Sequence, residues 1–203
     1  MIKILLKIKL FFVILTIGSI LKADPYSLAS ISQYLTNLKL LKADFSQTNA
    51  NGTASSGAIL IKRPGRMRFE YDKPDKTLVL VSSGALAIFD PKGDEEPITY
   101  PIKNNPISLI LKGEVDLLNS RIVGNFKVSV QKAVLEIRDP KKPERGSVEL
   151  VFTGTKPELA EFSIKNENGS STSILLKDIE YPKELNETLF SIPLETNKRR
   201  AKD

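Results

Sequence analysis

The chain of 203 residues contains no cysteine, no histidine and no tryptophan. These absences remove whole classes of chemistry. A Ser-His-Asp or Cys-His nucleophile system, a cysteine or histidine zinc site, a disulfide and a thiolate redox pair each need a residue the chain does not have. Carboxylate, Lys or Tyr chemistry is left, or none. No spacing pairs carboxylates such as Glu161 and Asp178 as acid and base. The acidic run Asp94, Glu95, Glu96 lacks the spaced oxygen ligands of a calcium loop and reads as a solvated hairpin. The expectation is a protein without catalytic residues, metal or cofactor.

Long apolar runs are scarce as well. The first stretches from Leu10 to Leu21, about twelve residues, against the roughly 18 to 20 that span a bilayer as a helix. It is flanked by Lys3, Lys7, Lys9 and Lys22, no acidic residue precedes Asp24, and the small Ala23 closes the segment. This pattern is that of a secretory signal peptide over residues 1–23, cut after Ala23 or a few residues earlier because Leu21 is large for its position. Removing those four lysines lowers the formal charge from +6 to +2. Nucleic acid is therefore not an expected partner. Secretion without cysteine also excludes a lipid anchor on that residue, and the periplasm of a Gram-negative bacterium fits best. Residues 24–203 are expected to form one domain, large enough to be held by packing alone.

Within that domain the spacing of Leu28, Ile31, Leu35 and Leu38 predicts an amphipathic helix, with Tyr34 and Leu41 beside the stripe. Asp24 is its expected cap and Pro25 its first helical residue. From Phe45 onward the period changes to two. Strands are predicted over Gly57–Lys62, Arg66–Tyr71, Thr77–Ser82 and Leu86–Asp90, and again around Phe126–Val130, Leu135–Ile137, Val148–Phe152, Phe162–Ile164 and Ile174–Leu176. Met67, Phe69 and Tyr71 share one face, while Arg66, Arg68 and Glu70 share a wet one. The connections are too short for crossover helices, so pairing is antiparallel. A second helix is expected at Asn105–Gly113, capped by Asn105 with Pro106 at its start. Roughly ten strands and two helical segments result, as a single curved antiparallel sheet with helices on one face. The basic tail Lys198, Arg199, Arg200 and Lys202 reads as a frayed solubilising terminus, with contact to anionic lipid as the alternative.

Several local strings occur together in order. Phe45-Ser-Gln47 is followed by Gly57 and then by Ile61-Lys-Arg-Pro-Gly-Arg-Met-Arg-Phe-Glu-Tyr71 with Pro74. Val81-Ser-Ser-Gly84, Leu86 to Pro91, Asn105-Pro106, Asn166-Glu-Asn-Gly169 with Thr172, and Phe190 with Pro193 come later. This series resembles the periplasmic outer-membrane lipoprotein carrier family, LolA-like, over nearly the whole mature chain. The resemblance implies an α+β, mainly β fold: an incomplete, unclosed β-barrel with a helical lid over an apolar cavity. It implies a monomeric carrier that takes acylated lipoproteins as cargo from the inner to the outer membrane. Its implied partners are an inner-membrane ABC-type lipoprotein-releasing complex and an outer-membrane acceptor or receptor.

By the same resemblance Leu35, Met67 and Phe69 line the cavity. Phe45, Leu86, Ile88 and Phe89 are further candidates, although alternation forbids all of them from facing inward. Arg63 falls on the family's lid latch, which bonds backbone groups of the closed lid and lets go when cargo enters. Without the resemblance, Met67, Phe69 and Tyr71 read as ordinary core and Arg63 as a solvated turn residue. The family's usual Trp is replaced by Phe69, an aromatic residue by Ala87, and two frequent Asp residues by Ser83 and Asn166. Loss of the ring at Ala87 is expected to reshape the hollow. The competing readings are a LolA-like sensing module and a general phospholipid shuttle.

Overall fold

The computed structural model describes residues 25–91, 96–119 and 121–201. The expected signal peptide, Asp24, Asp94, Glu95 and Lys202 lie outside the described residues. Helix α1 (Leu28–Asn37) opens the fold, followed by strands β1 (Leu40–Thr48), β2 (Ala54–Lys62), β3 (Arg66–Tyr71), β4 (Leu78–Ser82), β5 (Ala85–Phe89) and β6 (Ile98–Pro101). After a 3-10 turn at Pro106–Leu109 come β7 (Val123–Ser129), β8 (Lys132–Arg138), β9 (Gly146–Thr153), β10 (Glu158–Asn166) and β11 (Ser171–Glu180). A 3-10 turn at Glu187–Phe190 then leads into helix α2 (Ile192–Arg200).

Helix α1 begins later than Asp24 and Pro25 would have it. Ser27 is the cap: its Oγ accepts from the N–H of Ser30, whose Oγ accepts in turn from the N–H of Ser27. This reciprocal box usually has Glu or Gln as the second partner, and Ser30 hid it from view. The helix ends by Leu38, so Leu41 belongs to β1. The predicted second helix is only the 3-10 turn, though Asn105 does cap it, its side chain accepting from Ile107 N–H, with Pro106 in the first turn. The second α-helix is instead Ile192–Arg200, so the basic tail is helical through Arg200 where a frayed end was expected.

All eleven strands form one antiparallel sheet in the order β6-β5-β4-β3-β2-β1-β11-β10-β9-β8-β7. The two end strands do not pair, so the barrel is unclosed. Register shifts interrupt the β1–β11, β9–β10 and β7–β8 pairings, and such bulges bend a strand and increase its twist. The sheet wraps far enough that Ile59 and Met67 of one half and Ile137, Leu150 and Phe152 of the other join one buried cluster with Ile31 and Leu35 of α1. That inner face holds most of the core.

The outer face carries a smaller cluster of Leu78, Leu80, Ala87 and Phe89, with Ile192 packed against it. The segment 185–200 is pinned over this face. Lys62 Nζ lies 2.7 Å from Glu187 and donates to the carbonyl of Leu185, Arg66 pairs with Glu187 at 3.1 Å, and Arg68 donates to the carbonyl of Leu189 at 2.8 Å. Arg68 is consequently buried, so the face expected to be wet is partly a second packing surface, with Arg66 half-buried and Glu70 exposed. Arg199 lies over the ring of Phe89, 4.8 Å from its centroid, a cation–π contact. Arg200 pairs with Glu96. Strand β6 escaped the sequence reading because it is four residues long and bounded by Pro97 and Pro101.

Candidate functional site

Register places the inner-face side chains in two unbroken apolar rows. Directly opposed residues of an antiparallel pair point to the same side of the sheet. One row runs Ala43, Ile59, Phe69, Val79, Ile88, Ile98 across β1 to β6, and the next runs Leu41, Ile61, Met67, Val81, Leu86, Tyr100. Phe45 precedes them on the same face of β1, opposite Gly57. A Cβ on Gly57 would stand 2.9 Å from the Phe45 ring and collide with the carbonyl of Glu70. The missing side chain lets the ring lie across β2 and meet Phe69 and Tyr71 edge to face, each 5.2 Å between centroids.

Helix α1 and the segment after Asn105 cover the inner face, the turn at Pro106–Leu109 packing against β8, β9 and β10. Ile31 and Leu35 point down from the helix, Ile107, Leu109 and Leu111 from the segment, and all are buried with Phe45, Met67 and Phe69 in one cluster. Among the described residues the inner face is thus closed except at its β6 end, where Ile98 and Tyr100 stay exposed. Six of the seven cavity candidates share this side of the sheet: Leu35, Phe45, Met67, Phe69, Leu86 and Ile88. Phe89 does not. It packs with Leu80 and Ala87 on the outer face beneath α2, because an odd step along β5 reverses the side. The same parity puts Ala87 on the outer face, away from the inner-face rows, so a ring at that position would not meet them.

Arg63, at the turn between β2 and β3, is 5% exposed, not a solvated turn residue. Its Nη1 donates to the carbonyls of Leu35 and Leu38, the latter at 3.1 Å, and its Nη2 to the carbonyl of Lys112. One planar fork therefore ties the end of α1 to the second covering segment. Backbone bonds flank it: Arg63 N–H to Lys39 and Gly65 N–H to Leu111, both 2.8 Å. Carbonyl oxygens alone balance the guanidinium, since no carboxylate among the described residues pairs with it and its Nε is buried without a partner. Burial pulls its pKa down to about 10, and the group stays charged at neutral pH.

The middle of α1 has fasteners that the sequence did not reveal. Ser32 Oγ donates to Val115 O at 2.6 Å and accepts from Leu117 N–H. Tyr34 OH accepts from Leu159 N–H at 3.1 Å and shares a hydrogen bond with Tyr181 OH, which donates to Glu158 at 2.8 Å. Burial raises the pKa of Tyr34, and burial with the neighbouring Tyr34 and Glu158 raises that of Tyr181. Both phenols stay neutral hydrogen-bonding groups. Residues 147 positions apart carry no sequence signal of such a contact.

An unclosed antiparallel half-barrel, with an apolar inner face covered by a helix and a turn segment that are tied down by polar bonds, defines the class of lidded binding folds. The model of the family described as outer membrane lipoprotein carrier protein LolA matches residues 36–193. The chain belongs to that family, whose members are binding proteins and not enzymes. It is 26% identical over 185 residues to the outer-membrane lipoprotein carrier protein of Coxiella burnetii (strain CbuK_Q154), covering 86% of each chain. It is 34% identical over 105 residues to that of Dechloromonas aromatica (strain RCB), covering 48% of this chain and 50% of the relative. The fold is similar to a crystal structure from Vibrio parahaemolyticus described as an outer membrane lipoprotein-sorting protein domain. The TM-score is 0.50 at 9% identity, over 83% of this chain and 97% of that one.

Proposed function

We propose that the chain is a periplasmic lipoprotein carrier, which holds the acyl chains of its cargo against the inner face of the sheet once α1 and the segment after Asn105 have moved aside. The observation that carries this reading is the Arg63 fork. A charged group held by carbonyls on two covering segments, and by no carboxylate, is a closure that a modest competing free energy opens. Acyl chains supply that energy: each methylene removed from water contributes about 0.8 kcal/mol, so ten contribute roughly 8 kcal/mol. Retention is easy at that scale and release is the harder step. A closed lid that regains the Leu35, Leu38 and Lys112 bonds, and buries its own apolar stripe, offsets part of the cargo's binding and makes transfer onward feasible. Loading falls to an inner-membrane ATP-driven complex and unloading to an acceptor at the outer membrane.

Native mass spectrometry with lipid extraction on the mature protein, purified from the periplasm of cells making it, tests the reading. Co-purifying acylated lipoprotein or lipopeptide is the expected result. Free phospholipid alone would favour the shuttle, and a protein that stayed empty after incubation with triacylated peptide would overturn carriage altogether.

A further inference from the structure

Among the described residues the covering of the inner face is incomplete at one end, and the uncovered end continues the same two rows. Ile59 and Ile61 on β2 are 0% and 2% exposed, Val79, Leu86 and Ile88 are half-buried, and Ile98 and Tyr100 on β6 are 58% and 54% exposed. The opposite side of these strands is treated differently, since α2 is fastened over Leu80, Ala87 and Phe89 there. The edge of β6 is itself blunted, being four residues long with Pro97 before it and Pro101 at its end. Short edges and prolines discourage another strand from pairing there, which leaves the apolar face and not the edge as the feature to explain.

We propose that Leu86, Ile88, Ile98 and Tyr100 form a landing site for one acyl chain of the cargo, open while the lid is closed, from which the chain advances along the rows beneath it. The inference rests on the carrier reading and adds the entrance to it. Neighbouring strands lie about 4.8 Å apart, so β2 to β6 span roughly 19 Å. One leaflet of a bilayer, half of a hydrocarbon core of about 30 Å, is roughly 15 Å deep. A single acyl chain therefore covers about three of those four spacings, from the open end to the buried Met67 and Phe69 of β3, without leaving apolar surface. Landing on an exposed strip also removes the need for the lid to open first, because burial on Ile98 and Tyr100 begins before the Arg63 bonds break.

Alternation supplies the test. Thr99 pairs with Ala87 and points to the other side of the sheet. A photo-crosslinking p-benzoylphenylalanine is placed singly at positions 98, 99 and 100 of the mature chain, and each protein is offered a triacylated fluorescent peptide. Adducts at 98 and 100 several-fold above those at 99 are expected, and equal labelling at all three positions would overturn the landing site. Uptake kinetics add a second reading. The exposed double variant Ile98→Ser with Tyr100→Ser should slow peptide capture about tenfold, with the folded spectrum unchanged, and an unaltered rate would overturn the proposal. A wild-type chain that captured no peptide at all would instead remove the carrier reading, which separates the two failures.

Discussion

Arg63 holds the carbonyl of Leu35, the residue whose own side chain closes the inner face. The polar fastener and the apolar plug meet at one position of α1, so the helix cannot swing away without breaking the bond and exposing Leu35 together. Arginine suits this place because its fork satisfies several acceptors at once and remains charged.

Replacing Arg63 by Leu removes donors from Leu35, Leu38 and Lys112. Hydrogen bonds to charged groups contribute about 1.5–3 kcal/mol, so the open state should gain about ten- to a hundred-fold in population. Hydrogen exchange is expected to accelerate in α1 and residues 105–117 while the β9–β10 amides stay protected. Peptide capture should persist and transfer to acceptor membranes should fail. Normal transfer would remove the latch role, and Arg63→Lys, with one compact donor group, should restore transfer only in part.

Leu35→Glu places a carboxylate in the buried cluster that also holds Phe45 and Met67. Burying an unpaired charge is costly enough that α1 should detach while the sheet, whose strands it does not join, keeps its circular dichroism. Uptake of triacylated peptide is expected to be lost, and unchanged uptake would locate the binding face elsewhere.

Phe69 and Phe89 are both buried, on opposite sides of the sheet. Phe→Ala at either position should cost about 3–5 kcal/mol in urea unfolding. Acyl-peptide affinity should fall for Phe69→Ala alone, and equal losses for both variants would contradict the assignment of the inner face.

The tyrosine pair predicts a dependence on alkaline pH. Tyr34 and Tyr181 have folded pKa values raised above the ordinary 10.0, so their contribution to stability is complete below about pH 10 and declines as the pH rises further. Arg63, lowered by burial, acts with the opposite sign over the same range. Tyr34→Phe isolates the phenol: it should flatten the alkaline loss and cost about 1–3 kcal/mol at neutral pH through the unpaired Leu159 N–H. An unchanged alkaline profile would show that Tyr34 does not titrate with lid closure.

Much of this arrangement was legible in the residues. The period-two pattern of Arg66–Tyr71 located β3 to the residue and short connections required antiparallel pairing, while Arg63, a solvated turn residue on its own local pattern, was marked only by the family resemblance. What stayed hidden depends on contacts distant in sequence. Nothing local tells which parity of β5 faces inward, and that left Phe89 among the cavity candidates and Ala87 as a shaper of the hollow. Arg66, Arg68 and Glu70 alternate as a wet face should, yet Glu187 and the carbonyl of Leu189, over a hundred residues later, engage Arg66 and Arg68, while Glu70 stays exposed. The tail looked frayed because its charges are read as solvated until Phe89 and Glu96 are seen beneath Arg199 and Arg200.

Lid movement on cargo binding is the step on which all of this depends, and the absence of cysteine from the chain makes it directly measurable. Spin labels on Gln33→Cys, on the exposed side of α1, and Asp44→Cys, on the outward side of β1, report the separation of lid and sheet. A single short distance is predicted for the empty protein, replaced by a longer one when triacylated peptide binds. The same short distance in a protein carrying bound peptide would contradict the opening of the lid and, with it, the role of Arg63.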